Sequence, residues 1–162
     1  MRCAECGGNL KVTGDTHRYV ESGLRNVVLH GVQVRKCEKC GEDEVAIPNI
    51  AGLHRRIAMM LVMRKSALAA PELRFLRQYL GQSSKDFAKL LGVTPETMSR
   101  WENASRDIPP VVDRVVRLLV ATTQPRTDYS ADMLSKIRPT APKNARMELR
   151  LRRDGWEAEK AA

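Results

Sequence analysis

The sequence predicts an α+β protein, with a small β domain at the N-terminus, a connecting helix and an all-α bundle. Three observations predict this order. Two C-x-x-C pairs enclose short segments with partial strand alternation, a basic stretch with apolar residues at helical spacing follows, and two short helices joined by a glycine turn come next. The predicted boundaries are 1–49 for the β domain, 50–70 for the connecting helix, 71–124 for the helical domain and 125–162 for a C-terminal extension.

The predicted β domain contains all four cysteines of the chain, in two pairs of identical spacing. Cys3 and Cys6 form the first pair, Cys37 and Cys40 form the second, and a glycine follows each pair. Such turns aim two thiolates at one ion, and four thiolates complete the tetrahedral shell of Zn2+ with no open position for water. We therefore expect one structural Zn2+ per chain. A thioredoxin-type dithiol belongs in a βαβ setting that is absent here, and disulfides are disfavoured in a cytoplasmic chain.

Between the cysteine pairs we expect three short strands, at Leu10–Val12, His17–Glu21 and Asn26–Arg35, with turns at Gly14-Asp15 and Ser22-Gly23. So small a sheet buries too little apolar surface to be stable alone, and the metal should supply much of its folding free energy. The zinc site does not need the histidines, His17, His30 and His54, which we expect to be solvated or packed. Residues 1–47 carry equal numbers of acidic and basic residues, which favours a scaffold or partner-docking role over a DNA-binding finger.

The formal net charge of +9 lies outside this first domain. Residues 48–70 contain four basic residues and no acidic one, and the rest of the excess is spread over the helical domain and the tail. Such an excess favours a polyanionic partner. No signal peptide opens the chain, and the longest apolar run, Ala58–Met63, is far shorter than the ~20 residues of a membrane span. We expect a cytoplasmic protein that does not enter membranes.

Residues from Ile50 to about Leu68 have the apolar spacing of one helix. Methionines at positions 59, 60 and 63 give this helix apolar residues on more than one side, which predicts some core packing and some adaptable contact surface for a second protein or a second copy.

Prolines mark the starts of two helices in the next domain. Pro71 opens a helix that carries Leu73, Leu76 and Leu80. Pro109-Pro110 opens another, in which we expect four side chains to face inward: Val112, Val115, Val116 and Leu119.

The stretch from Ser83 to Pro109 predicts two short helices and a tight turn. Ser83 is a candidate N-cap with Asp86 in the capping-box position, and the apolar face after it consists of Phe87, Ala88, Leu90 and Leu91. Gly92 suits a helix end with positive φ, and Thr94-Pro95 begins the second helix. We expect Met98 and Trp101 of that helix to point inward and four side chains to face away: Glu96, Thr97, Ser99 and Arg100. This is helix-turn-helix geometry.

The tail after Pro125 has weaker signals. Ser130–Ile137 predicts one short helix, Pro139–Asn144 a linker, and the alternation of Met147, Leu149 and Leu151 an exposed strand that ends at Asp154-Gly155. A lone strand is marginal, so it needs a partner: a twin from a dimer mate, the zinc sheet or another protein. The alternative is a solvated basic tail.

Residues 71–121 resemble the Xre/Cro-type repressor DNA-binding domain, which has a lambda-repressor-like fold. The resemblance lies in Leu80-Gly81, in Ala88-x-Leu90-Leu91-Gly92-Val93, in the run from Thr97 to Asn103 and in Pro109. It implies base contacts from Pro95, Glu96, Thr97 and Arg100. Arg100 is the strongest candidate, because its planar guanidinium can hold O6 and N7 of a guanine together. Candidate phosphate contacts are Ser84, Lys85, Asn103 and Arg106. Ser84 stands where the family often has a longer-reaching glutamine.

The order of the domains, over residues 1–121, resembles the MqsA-type antitoxins with a YgiT-type zinc finger. That resemblance implies a homodimeric transcriptional repressor that binds a palindrome in its own operon and docks a ribonuclease toxin through its zinc domain. The tail is longer than this family leads us to expect. A stand-alone zinc-containing regulator without a toxin, and a protein-interaction adaptor that no longer binds DNA, are the alternatives. We do not expect an enzyme, because no His/Asp/Glu cluster has the spacing of a metal-ligand set or a catalytic triad.

Overall fold

The computed structural model describes residues 1–123, 129–140 and 146–159. The chain forms two compact units, which we call the sheet unit and the helical unit. The sheet unit consists of Met1–Glu21, Arg25–Arg56 and Arg146–Ala162, and the helical unit of Ser22–Leu24 and Ile57–Ala145. These units differ from the predicted domains at three places. Ser22–Leu24, inside the predicted β domain, belongs to the helical unit. The connecting helix is divided between the two units, and the end of the predicted C-terminal extension belongs to the sheet unit rather than forming a separate tail.

The sheet unit contains a single five-stranded sheet built around a long central strand. Its strands are β1 (Leu10–Arg18), β2 (Val27–Cys37), β3 (Asp43–Ala46), β4 (Met147–Arg152) and β5 (Gly155–Ala158). The order is β1-β2-β4-β5, and β3 also pairs with β2. Along one edge of β2, its N-terminal half pairs with β4 in parallel and its C-terminal half pairs with β3 in antiparallel orientation. The central strand therefore joins residues from both ends of the chain.

Four strand predictions need correction. The predicted turn at Gly14-Asp15 lies inside β1, where the register shifts on either side of Gly14, because a bulge absorbs the irregularity without ending the strand. The predicted strand at 17–21 gives way to a 3-10 turn at Val20–Ser22, and β3 was not predicted. The predicted exposed strand is β4, whose Met147 and Leu149 are buried against the sheet. β4 ends at Arg152, close to the predicted end, and Gly155 opens β5 after a turn.

Six α-helices are described, and they alternate with short connections. They are α1 (Ile50–Met63), α2 (Ala70–Tyr79), α3 (Ser84–Leu90), α4 (Pro95–Glu102), α5 (Pro110–Thr122) and α6 (Ala131–Ser135). The connecting helix is shorter than predicted, because it ends at Met63 and not near Leu68. The predicted linker Pro139–Asn144 and the predicted start of the C-terminal extension fall partly in 141–145 and 124–128, outside the described residues. None of the described helices is long and apolar enough to cross a bilayer.

The core of the helical unit is largely the predicted one. Its buried apolar side chains include Leu73, Leu76, Phe87, Ala88, Met98, Trp101, Val112 and Val116. Two side chains predicted to face inward are exposed instead, Leu90 at 56% and Val115 at 39%, and Leu119 is only half-buried. The inward face of α5 is rotated from the predicted one, because Asp113, Arg117 and Val120 occupy it. Met59, predicted as a candidate contact residue, is buried.

The burial of Arg117 in the helical unit was not predicted from the apolar pattern. Its side chain is completely buried, and its guanidinium pairs with Asp113 one turn earlier on α5. It also donates to four backbone carbonyls at and beyond the end of α1, those of Leu61, Val62, Arg64 and Ser66. The last carbonyls of a helix have no partner within it, and this one side chain bonds two of them, those of Leu61 and Val62. Asp113 in turn accepts from the backbone N–H of Leu68 at 2.7 Å.

Candidate metal centre and nucleic-acid interface

The structure brings the four predicted metal ligands together. Cys3, Cys6, Cys37 and Cys40 are free thiols, and their sulfur atoms all lie within 4.8 Å of one another. The Sγ atoms of Cys3 and Cys40 are 3.7 Å apart, and those of Cys6 and Cys37 are 3.5 Å apart. Four sulfurs at a Zn–S distance of about 2.3 Å sit about 3.8 Å from one another at the corners of a tetrahedron. The site therefore has the size and donor set of a closed zinc centre.

Two turns with the same hydrogen-bond pattern present these cysteines. In the first, the N–H of Gly7 donates to the carbonyl of Cys3, and the N–H of Cys3 donates to the carbonyl of Gly8. In the second, Gly41 and Glu42 take the equivalent places around Cys37. Both glycines that follow the pairs have positive φ, 68° for Gly7 and 76° for Gly41, as these turns require. The repeated C-x-x-C-G spacing thus corresponds to a repeated local structure.

Gly8 is essential for the close approach of the two turns. A Cβ atom at this position would lie 2.8 Å from Cβ of Lys39, 3.0 Å from Sγ of Cys37 and 3.3 Å from Sγ of Cys6. An added Cβ here would force Lys39 to shift and would crowd the sulfurs of Cys37 and Cys6. Gly8 was not predicted to matter, although a second glycine directly after a C-x-x-C-G turn is a usable signal.

The electrostatics of the four thiols favour at least one thiolate. Backbone N–H groups of Cys40 and Lys39 point at the sulfur of Cys37 and lower its pKa to about 6. The N–H of Glu42 acts in the same direction on Cys40, but hydrogen bonds with the thiols of Cys6 and Cys37 outweigh it and raise the Cys40 pKa to about 12. Four sulfurs so close together cannot all ionise without a cation, because like charges disfavour one another. A divalent ion would relieve this conflict.

The helix-turn-helix lies in α3, α4 and the turn between them. Ser83 Oγ accepts from the N–H of Asp86 at 3.1 Å, and Thr94 Oγ1 accepts from the N–H of Thr97 at 3.2 Å, so both predicted caps are present. Gly92 ends the first helix with φ +69°. Met98 and Trp101 are buried, as expected, and they hold the inner side of α4.

The outer side of α4 carries the predicted base-contact residues. Pro95, Glu96 and Arg100 are exposed, and Thr97 is half-exposed. The Glu96 carboxylate accepts from its own backbone N–H and from Thr94, and these bonds, with the nearby Arg100 guanidinium, hold its pKa below the usual range. Glu96 is therefore an anion at the first turn of α4, where the helix dipole favours negative charge.

The predicted phosphate-contact residues lie on two elements. Ser84 is half-buried at the start of α3, Lys85 beside it is exposed, and Asn103 and Arg106 are exposed after α4. Asn103 is already engaged, because its Oδ1 accepts from Nη2 of Arg74 at 2.7 Å and its Nδ2 donates to Ser99 at 3.2 Å. Its amide is fixed in place and has one N–H left for a further contact.

Ion pairs from α2 fix the C-terminal end of α4. Glu102 is buried, and its carboxylate accepts from Nε of Arg77 at 2.6 Å and from Nη2 at 3.2 Å. Arg74 also donates to the backbone carbonyl of Glu102. Glu102 lies in the run from Thr97 to Asn103 that resembles the Xre/Cro-type domain, but no role was predicted for it from the sequence. It positions the outer face of α4 and is itself turned inward.

The comparisons with known proteins agree with this part of the structure. A family model described as a helix-turn-helix domain matches residues 69–129. No curated protein and no solved structure gives a significant match. This match and the geometry of α3 and α4 support a helix-turn-helix domain, which suggests a DNA-binding regulator. The chain also carries a four-cysteine cluster that is compatible with zinc.

Proposed function

We propose that this protein is a sequence-specific DNA-binding transcriptional repressor with a structural Zn2+ in its sheet unit. The observation that carries the proposal is the two-sided character of α4. Its inner side is fixed by Met98, Trp101 and Glu102, while Glu96, Thr97 and Arg100 are presented at the surface. In helix-turn-helix proteins the N-terminal residues of this helix meet base edges in the major groove. We propose no catalytic activity.

Arg100 is the main base-reading residue in this proposal. Its guanidinium is exposed, and a bidentate pair with a guanine is worth about 1–3 kcal/mol of discrimination. Lys85, Ser84, Asn103 and Arg106 would set the position of the domain on the sugar-phosphate backbone without reading sequence.

The decisive experiment compares two arginine variants on DNA selected from a random duplex library. Arg100→Ala should weaken binding by about 1–3 kcal/mol and relax the preference at one base position. Arg153→Ala removes the same charge from an exposed turn of the sheet unit, and it should leave the affinity and the base preference unchanged. Equal behaviour of the two variants would refute the assignment of Arg100. Failure of the wild type to select any sequence, or binding without salt dependence, would instead favour the protein-interaction adaptor.

We further propose that the protein binds as a homodimer on a palindromic operator. The support is geometric: one short α4 reads only a few base pairs, and helix-turn-helix proteins gain specificity by placing two copies about one helical turn (34–36 Å) apart. A complex of two chains per duplex, whose affinity falls when a few base pairs are inserted between the half-sites, would support this proposal. A one-to-one complex of equal affinity would overturn it.

The finer role that we propose is that of an antitoxin which represses its own operon and docks a ribonuclease toxin through the sheet unit. Its support is the combination of a four-cysteine domain with a helix-turn-helix domain, together with the balanced charge of residues 1–47. The test is co-purification with the product of the adjacent reading frame, followed by rescue of growth when that product is toxic. If the neighbour encodes no toxin, the stand-alone zinc-containing regulator is the remaining form of the proposal.

A further inference from the structure

The sheet unit contains a second group of candidate ligand atoms, separate from the cysteines. His30 lies on β2, Glu148 lies on β4, and Glu159 follows β5. One ligand atom from each lies within 4.8 Å of the other two. No local motif links these residues, because the pairing of β2 with β4 and of β4 with β5 brings them together.

Strand register places the two carboxylates directly opposite each other. The N–H of Glu159 donates to the carbonyl of Glu148 at 2.8 Å, which continues the β4–β5 pairing by one residue. Like charges in directly opposite positions destabilise a sheet. A cation between the two carboxylates would relieve this repulsion.

In each carboxylate, one oxygen lies near an arginine and the other faces the imidazole of His30. Oε1 of Glu159 pairs with Arg150 at 2.8 Å, and Oε1 of Glu148 lies 3.7 Å from Arg146. The other oxygens turn toward Nε2 of His30, at 3.2 Å for Glu148 and 3.8 Å for Glu159. Oε2 of Glu159 is buried and has no hydrogen-bond partner among the residues that the structure describes. An orphaned carboxylate oxygen beside an imidazole nitrogen is a position for a cation.

The imidazole is also supported from its other side. Nδ1 of His30 lies 3.4 Å from Oγ1 of Thr16 on β1. Metal-binding histidines commonly engage their second ring nitrogen in such a bond, which fixes the tautomer and the ring orientation. The three side chains are between 21% and 30% exposed, so an ion and its remaining water ligands can reach the site.

We propose that His30, Glu148 and Glu159 form a second metal site, for a divalent first-row transition ion such as Zn2+. One imidazole and two carboxylates are ligands that such ions accept, and three protein ligands leave room for water. The ion would fasten the C-terminal β4–β5 hairpin to the central strand. The competing explanation is a protonated His30 that bridges both carboxylates without any metal.

The experiment titrates full-length protein, with its cysteine site already filled by Zn2+, with further Zn2+ in a calorimeter. The wild type should bind a second equivalent. His30→Gln and Glu159→Gln should lose that equivalent and keep the first, as measured by metal content. His17→Gln is the matched control, because His17 lies 3.2 Å from a single carboxylate, that of Glu21, and should leave both equivalents in place.

A second readout separates metal binding from a structural role. Hydrogen exchange of the β4 and β5 amides should slow when the second equivalent is added to the wild type, and it should not respond in His30→Gln. A wild type that binds only one equivalent would overturn the proposal, as would a second equivalent that persists in both His30→Gln and Glu159→Gln. Either result would leave the protonated histidine as the explanation.

Discussion

The sheet unit and the helical unit are organised by contacts of very different range. In the helical unit, α3 contacts α4, and α2 contacts α4 and α5. The starts of α3 and α4 are fixed by caps, Ser83 and Thr94, that lie within the same stretch of sequence. In the sheet unit, the central strand pairs Val27–His30 with residues 147–150, and two distant turns share one sulfur cluster. Local sequence signals are enough to specify the helix starts of the helical unit. The strand pairing of the sheet unit depends on residues that are far apart in the chain.

The two units are therefore vulnerable to different changes. Closing long loops costs conformational entropy before any contact forms, so the sheet unit needs a strong tie such as a metal ion. The helical unit has a larger apolar core, and its most sensitive feature is the buried charge of Arg117.

Removal of one predicted zinc ligand should destabilise the protein most. Cys37→Ser should abolish stable zinc binding and unfold the cysteine turns and adjoining strands, because structural zinc contributes about 10–16 kcal/mol in finger peptides. The helical unit should remain folded. Metal content and residue-resolved hydrogen exchange provide the measurement, and a chelator added to the wild type should reproduce the pattern. Protected β1 and β2 amides in the variant would contradict the prediction.

Arg117→Met tests the stability of the helical unit. This substitution should lower the free energy of unfolding of that unit by about 3–5 kcal/mol, because it leaves the Asp113 carboxylate buried without its charged partner. It also leaves the carbonyls at the end of α1 without donors. Urea unfolding followed by circular dichroism measures the loss.

Two companion variants make the Arg117 test specific. Arg114→Met changes an exposed neighbour on α5 and should have little effect. Adding Asp113→Leu to Arg117→Met should recover part of the loss, because the uncompensated charge is then gone. No recovery would mean that the orphaned carbonyls, and not the charge, dominate the cost.

Gly8→Ala should disturb the cysteine cluster without removing a ligand. Its Cβ would lie 3.0 Å from the Cys37 sulfur, and we expect zinc affinity to fall by about 10–100-fold, the range for changes next to metal ligands. Gly14→Ala is the control, since nothing lies within 4 Å of its added Cβ and its φ is not in the left-handed region. Competition with a chromogenic chelator measures the affinity. Equal affinities for the two variants would show that the cluster tolerates the added carbon.

The smallest expected effect lies just after the helix-turn-helix. Ala104 has φ +58°, a left-handed conformation that costs an L residue about 1–2 kcal/mol. Ala104→Gly should therefore raise the unfolding free energy of the helical unit by up to about 1 kcal/mol, partly offset by the greater freedom of glycine in the unfolded chain. Thermal unfolding measures the shift. A lower melting temperature would show that the alanine methyl contributes packing that outweighs the strain.

The helix-turn-helix could be predicted from the sequence almost residue by residue. Its caps, its glycine turn and the inward pair Met98 and Trp101 all lie where the pattern put them, because each depends on neighbours within a few positions. Each cysteine turn was predictable for the same reason, whereas the meeting of the two turns depends on residues far apart in the chain. Leu90 and Val115 were misplaced, because helical spacing alone does not fix which part of an apolar stripe the neighbouring helices cover.

Local backbone preferences and side-chain caps specify the two cysteine turns, the helix starts and the polar outer face of α4, so these features follow from short stretches of sequence. The pairing of the last strands with the N-terminal sheet, and the bonds from Arg117 to the end of another helix, arise only in the folded chain. The same holds for the meeting of Glu148 and Glu159 at His30. These features depend on strand register and on hydrogen bonds between residues far apart in the chain, and no local pattern encodes such pairings.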